Sequence, residues 1–191
     1  EENLRTQKCH WQNGLQTMRS YFGVEKERVM SKVGFHIRPA NTNDAVAIAT
    51  IGYNSWHDTY KDFIPADFLG EINLQKQIER AETTIKQGGS ILVASDADHM
   101  AVGYCAFGST RDAAHPRENE IYSLYVSKHV RSKGLGAILL FEAEHRFVVQ
   151  KPILVRTLKT NLRARKFYED NGFRYQPDRD GSFRNVADDV A

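Results

Sequence analysis

The sequence predicts a mixed α/β fold in one domain, and three observations carry that expectation. Apolar spacing switches back and forth between the helical and the strand period along the chain. Two strand-like runs, SILVASD and MAVGYCAFGST, are joined by the short turn Ala97-Asp98-His99, which reads as an antiparallel hairpin. A glycine-bearing turn, Arg131-Ser132-Lys133-Gly134-Leu135-Gly136, stands between a strand-like and a long helical run. At 191 residues the chain can bury one good core and is short for two domains.

The elements follow in order. Residues 1–32 are polar and weakly periodic and read as an N-terminal appendage, flexible or helical, ahead of a folded domain over 33–191. The domain opens at GFHIRP, where Phe35 and Ile37 alternate with polar neighbours before Pro39 ends the strand. NTNDAVAIATIGYNSW is helical, with Thr42 or Asn43 as cap and Ala45, Ile48, Ala49 and Gly52 on one face. HDTYKDFIPADFLG interrupts it, and a second helix runs through IERAETTIKQ to Gly88-Gly89. After the hairpin, the polar loop RDAAHPREN leads to the strand EIYSLYV. The glycine turn then starts a helix whose buried face is expected to hold Ala137, Leu140, Phe141 and Val148. PILVRT is the next strand, and NLRARKFYEDNGF is a short helix closed by Asn171-Gly172. Beyond Phe173 the run QPDRDGSFRNVADDVA offers only a weak final strand.

Composition removes several function classes. With 41% apolar and 26% charged residues and a mean hydropathy of -0.53, the chain resembles neither a disordered protein nor a membrane span. A net charge of +2 gives no reason to expect nucleic acid as a partner. The average hides a field, because residues 128–166 hold ten Lys or Arg against Glu142 and Glu144, an excess of +8 that leaves -6 for the rest. Cys9 and Cys105 make no disulfide framework, and no CxxC or HExxH suggests a metal. The opening EENLRTQKCHW has no apolar segment of signal-peptide type, so a cytoplasmic location is the default expectation.

The glycine turn is the first chemical signal. Gly134 and Gly136 permit tight backbone turning, and the first N–H groups of the following helix have no intrahelical acceptor. With Arg131 and Lys133 beside it, the turn reads as a cradle for a phosphate or pyrophosphate. It is neither a dinucleotide fingerprint, since Leu139 stands where a third glycine is required, nor a GxxxxGK[ST] loop. The second signal is Asn161 to Phe173, where Ala164, Phe167 and Tyr168 recur at helical spacing.

Together, RSKGLG after EIYSLYV and NLRARKFYEDNGF after ILVRT resemble the GCN5-related N-acetyltransferase (GNAT) family, over roughly residues 34–173. IRPANTNDAVAI and SWHDTYKDFIP look like the start of such proteins, particularly of the branch that acetylates small amines and polyamines. The resemblance implies a central mixed, mostly antiparallel sheet with helices on both faces, acetyl-CoA as co-substrate and no metal. It implies that Arg131, Ser132, Lys133, Gly134, Leu135 and Gly136 bind the coenzyme pyrophosphate. Leu124, Tyr125 and Val126 would splay from the neighbouring strand and pair with the pantetheine arm, while Asn161 contacts that arm or orders its loop. Tyr168 corresponds to the residue that protonates the leaving thiolate.

An amine must lose a proton before it attacks, and Glu120, at the start of the central strand, is the candidate to receive it, with Tyr122 two residues on. The glutamate that some family members carry on the strand before the Asn motif is replaced by Arg156. The family's acceptor wall maps to Trp56, His57, Tyr60 and Asp62. The expected partner is a small-molecule primary amine or polyamine, with no nucleic acid or membrane, and a homodimer is the assembly this reading allows. A peptide N-acetyltransferase and a non-catalytic CoA-sensing module are the alternatives.

Overall fold

The computed structural model describes residues 7–13, 34–61, 72–147 and 151–182, with 7–13 and 180–182 as backbone path alone. Seven strands form one sheet, β1 (Gln7–Asn13), β2 (His36–Pro39), β3 (Ser90–Ser95), β4 (Ala101–Ser109), β5 (Asn119–Val126), β6 (Ile153–Leu158) and β7 (Phe173–Ser182). Four helices pack on it, α1 (Ala45–Tyr60), α2 (Leu74–Lys86), α3 (Leu135–Arg146) and α4 (Leu162–Asp170). The spatial order is β2-β3-β4-β5-β6-β1-β7, and every neighbouring pair is antiparallel except β5 with β6.

Burial on both faces explains the unbroken apolar run in β3. Ile91 and Val93 meet Ala45, Ile48, Ile51 and Ala81 from α1 and α2. Leu92 and Ala94 face the other way, into a core with Leu135, Leu139 and Ala143 of α3 and Tyr168 of α4. Leu139 is fully buried, and withdrawing such a side chain from water contributes about 1.5–3 kcal/mol. Cys105 lies in the same core, where burial raises its thiol pKa.

Several local expectations need correction. The cap of the first helical segment is Asn41, whose side chain accepts from Asn43 N at 3.0 Å, while Asp44 accepts from Asn41 N at 2.7 Å. This capping box belongs to a short 3-10 turn, Thr42–Asp44, that leads into α1. His57-Asp58-Thr59-Tyr60 continues α1 instead of interrupting it, because Trp56 and Tyr60 extend its buried face by one more turn. On α3 the buried residues are Leu135, Ile138, Leu139, Leu140 and Ala143; Ala137 and Phe141 are only half-buried, and Val148 lies outside the described residues.

The largest difference concerns residues 1–32, read as an arm. Gln7–Asn13 is a strand, paired from Lys8↔Leu158 to Asn13↔Ile153 on one side and, with a register shift between Lys8 and His10, from Gln7↔Ser182 to Asn13↔Phe173 on the other. Since β1 is antiparallel to both neighbours, β6-α4-β7 is a parallel crossover with a strand fitted into its gap. The weak final strand is a ten-residue β7. Among the described residues no helix is long and apolar enough to cross a membrane.

Candidate active site

β5 and β6 pair for only three residues, Asn119↔Ile153, Glu120↔Leu154 and Ile121↔Val155, and then diverge. β5 keeps its other partner throughout, from Ser109↔Asn119 to Gly103↔Val126, with a register shift between Ala106 and Phe107. Residues 122–126 therefore leave the edge facing β6 outside any ladder. Ser127 N–H bonds Val102 O at 2.8 Å, on the β4 side. By strand alternation the N–H groups of Val126 and Leu124 point to the open edge. The opening is a groove of about 1110 Å³ between β5, the start of α3 and α4, lined by Leu124, Tyr125, Val126, Arg131, Ser132, Gly134, Leu135, Gly136, Asn161 and Tyr168 among others. Of the residues expected to hold a coenzyme, Lys133 is the one that does not line it.

The turn into α3 needs left-handed backbone at Ser132 (φ 65°) and Gly134 (φ 81°). Glycine takes that conformation at no cost, whereas other residues lose about 1–2 kcal/mol there. Gly134 is the cap of α3, so the N–H groups of its first turn open toward the groove. Gly136 has a different reason: a Cβ there would sit 3.3 Å from the Phe167 ring, so this glycine lets α4 approach α3. The Leu135 side chain is core and only its backbone faces the groove. Arg131 is folded back, donating from Nε to Val126 O at 2.9 Å and from Nη2 to Ser55 Oγ at 3.4 Å, with Asp58 at 3.8 Å. Burial, and then the nearby Arg163, lower its pKa. Its guanidinium braces the end of β5 against α1, and Arg163 and Lys166 add positive charge along the groove.

Asn161 caps α4, accepting from Ala164 N at 3.0 Å and donating to Tyr60 Oη at 3.3 Å. It thereby ties the last residue of α1 to the first turn of α4. Tyr168 is buried between Phe167 and Phe173, with ring centroids 5.2 and 5.5 Å away, and lines the groove. Burial raises its phenol pKa well above the usual range, so the hydroxyl keeps its proton at neutral pH.

Glu120 does not line the groove. It is fully buried, and its carboxylate accepts from Arg111 N and Nη2, both at 2.8 Å, and from Arg156 Nη1 at 3.3 Å. Asp112, Glu118 and Arg179 extend the cluster, with Arg179 bonded to Glu118 at 2.9 Å. A carboxylate enclosed by two guanidiniums is badly placed to take a proton from an amine, so the geometry assigns Glu120 a bracing role in place of the expected base. Tyr122 is likewise engaged, donating to Ser109 O at 2.5 Å across Gly108 and lying under Arg111 at 4.6 Å.

The expected acceptor residues separate. Tyr60 lines the groove, and Trp56 lines a smaller pocket behind β5. His57 is on another face of α1, ring against ring with Tyr53 at 4.3 Å, its Nε2 buried without a hydrogen-bond partner among the described residues. It borders a shallow hollow with Asp58 and His129. Asp62 lies outside the described residues. The smaller pocket, about 170 Å³, lies between α1, α2, β3, β4 and β5 and shares Tyr122, Ser123 and Tyr125 with the groove. Sequence reasoning missed most of its wall: Tyr53 on α1, Gln77, Arg80 and Thr84 on α2, and Tyr104 and Ala106 on β4. The i, i+3, i+7 spacing of the α2 residues and the i, i+2 spacing on β4 were the available signals. Among the described residues no group of three or more His, Cys, Asp or Glu could hold a metal.

Comparison with known proteins agrees with this architecture. The chain is 28% identical over 104 residues to uncharacterized N-acetyltransferase YuaI of Bacillus subtilis, covering 54% of this chain and 59% of that protein, so it spans less than two thirds of that relative. It is 29% identical over 147 residues to probable N-acetyltransferase Rv2775 of Mycobacterium tuberculosis, covering 75% and 82%. A phosphinothricin acetyltransferase from Sinorhizobium meliloti, solved in complex with AcCoA, shares the fold at a TM-score of 0.59 and 23% identity, covering 74% of this chain and 76% of that one. The model of the acetyltransferase (GNAT) family matches residues 53–173, well over half the sequence, and the chain belongs to that family.

Proposed function

We propose that the protein transfers an acetyl group from acetyl-CoA to the primary amine of a small molecule. One observation carries this reading: β5 and β6 part over the N-terminus of α3, leaving a groove with strand N–H groups on one side and a buried, protonated Tyr168 on the other. The coenzyme fits what is present, a long groove with a helix N-terminus and positive charge at one end. Acetyl-CoA supplies the acetyl group activated as a thioester.

The first-turn N–H groups of α3 hold the pyrophosphate, and Arg163 and Lys166 compensate its charge. The N–H groups of Leu124 or Val126 polarise the carbonyl where negative charge develops during attack. The amine lone pair forms the C–N bond, the C–S bond breaks, the Tyr168 hydroxyl supplies a proton to sulfur, and the proton that the nitrogen loses returns through water to the phenolate. The attacking amine must be neutral, and an apolar pocket favours that state by disfavouring the ammonium. The acceptor enters from the smaller pocket, through the junction at Tyr122, Ser123 and Tyr125. A small molecule suits a pocket of this volume better than a peptide does. The phosphinothricin acetyltransferase among the structural neighbours is named for a small-molecule substrate.

The test is acetyl-CoA with a panel of amines, reading thiol release and the mass of the products. Amine-dependent thiol release and a singly acetylated small amine are expected. Acetyl-CoA binding without thiol release on any amine would support a sensing module and overturn the transferase reading.

A further inference from the structure

Tyr60, the last residue of α1, lines the groove where its two walls diverge. Its ring is buried in a cluster with Trp56, Ile72 and Leu158, and Tyr125 packs against the same cluster. The Trp56 ring centroid is 4.5 Å away. Because Tyr125 belongs to β5 and Leu158 to β6, this cluster spans the fork that opens beyond Ile121↔Val155. The Tyr60 hydroxyl accepts from Asn161 Nδ2 at 3.3 Å, and Thr157 of β6 is its second hydrogen-bond partner. Burial raises the pKa of this phenol more than the two hydrogen bonds lower it, so it stays neutral. The side chain thus joins α1, which packs with β4 and β5, to β6 and the start of α4.

What that hydroxyl holds is one end of the helix that carries the acid. Tyr168 is the buried residue of the nine in α4, whereas Leu162 in its first turn is 69% exposed. Aromatic packing against Phe167 and Phe173 secures the Tyr168 end, and polar contacts secure the start. A single amide serves both purposes there, with Asn161 Oδ1 capping Ala164 N and Nδ2 bonding Tyr60. Tyr168 follows Asn161 by two helical turns on the same face, about 10 Å along the axis, so a displacement of the first turn is transmitted to it. Burial, then the Cys105 thiol and the Tyr60 phenol, raise the Tyr168 pKa, which puts the two phenols within electrostatic reach of each other. Misplacing a reacting group by about 1 Å can cost about 100-fold in rate. We propose that Tyr60 is a positioning residue for proton delivery: through the Asn161 amide it holds α4 so that the Tyr168 hydroxyl reaches the sulfur of acetyl-CoA. The proposal rests on the protein being an acetyltransferase, and it moves Tyr60 from the acceptor wall to the support of the acid.

The experiment measures thiol release from acetyl-CoA, with the amine that the panel above shows to be acetylated fastest, in the parent, Tyr60→Phe, Tyr168→Phe and the double variant. Tyr60→Phe keeps the ring in its cluster and removes the oxygen. Its kcat is expected to fall about tenfold, with the amine KM and the acetyl-CoA affinity from calorimetry each within about twofold of the parent. In the Tyr168→Phe background the same substitution is expected to lower kcat by less than about twofold, because a residue that acts through Tyr168 then has no hydroxyl to position. Asn161→Ser breaks the tie from the other side, keeping a capping oxygen without the amide donor, and its kcat is expected to fall about tenfold as well. A tenfold loss repeated in the Tyr168→Phe background, a change in the amine KM alone, or a parental kcat in either single variant of the tie overturns the positioning role and leaves acetyl transfer standing. If acetyl-CoA binds the parent and no amine in the panel releases thiol, acetyl transfer fails and this proposal falls with it.

Discussion

The two ends of β5 are built on opposite principles. Asn119, Glu120 and Ile121 have strand partners on both sides and are buried, and Glu120 is enclosed by Arg111 and Arg156. Ser123 to Val126 pair with β4 alone, Tyr122 falls at the register shift, and all five are half-exposed along the groove. One end is closed by ionic contacts from a loop and from β6; the other retains hydrogen-bonding capacity for a guest. The contrast shows how a sheet can stay rigid and still present backbone groups to a ligand: the open edge is held in place by its own pinned end. Arg131 repeats the device at the far tip by bonding Val126 O.

Substitutions can break that contrast, beginning with the pinned end. Glu120→Ala leaves two arginines facing a cavity and is expected to cost about 3 kcal/mol in urea unfolding, the low end for breaking a buried pair. The low end applies because Arg111 keeps 35% of its side chain in solvent. A variant as stable as the parent yet inactive would instead make Glu120 a participant in proton transfer. At the open end, Tyr168→Phe keeps the packing and removes the hydroxyl. Turnover should fall about 100-fold, equivalent to about 2.7 kcal/mol, with acetyl-CoA affinity within about twofold. An unchanged rate would remove its acid role. Gly134→Ala puts a Cβ on left-handed backbone and should cost about 1–2 kcal/mol, visible as a lower unfolding midpoint and weaker acetyl-CoA binding. If its stability falls while acetyl-CoA binds as tightly as before, the turn does not hold the coenzyme.

Distance along the chain decided what the sequence disclosed and what it hid. The strand, glycine turn and helix over 119–146 are local, so periodicity and turn chemistry located them. The Asn171-Gly172 end of α4 was legible for the same reason, whereas the capping role of Asn161 was not read. Glu120 was misread because one of its partners, Arg156, is on another strand 36 positions away. The aromatic pocket was invisible because its walls come from five elements between Ile48 and Tyr125, each of which alone reads as ordinary core packing. Part of the basic excess over 128–166 borders the groove, yet Arg131 bonds a backbone carbonyl and Lys133 does not line the groove. Charge in a sequence window locates a field without saying which side chains meet a ligand.

The placement of β1 makes the two halves of the sheet differ in how far along the chain their pairings reach. Hairpin β3–β4 and its junction with β5 form from neighbouring segments, so that half of the sheet closes with short loops. The far half cannot do so, because Lys8 must find Leu158 and Asn13 must find both Ile153 and Phe173. Contacts of such long range slow folding, since chain entropy is spent before they form. Helix α4, which carries Tyr168 to the groove, bridges the two strands that β1 joins. The outer wall of the groove therefore depends on pairings that span almost the whole chain, while the β5 edge opposite it rests on neighbouring segments.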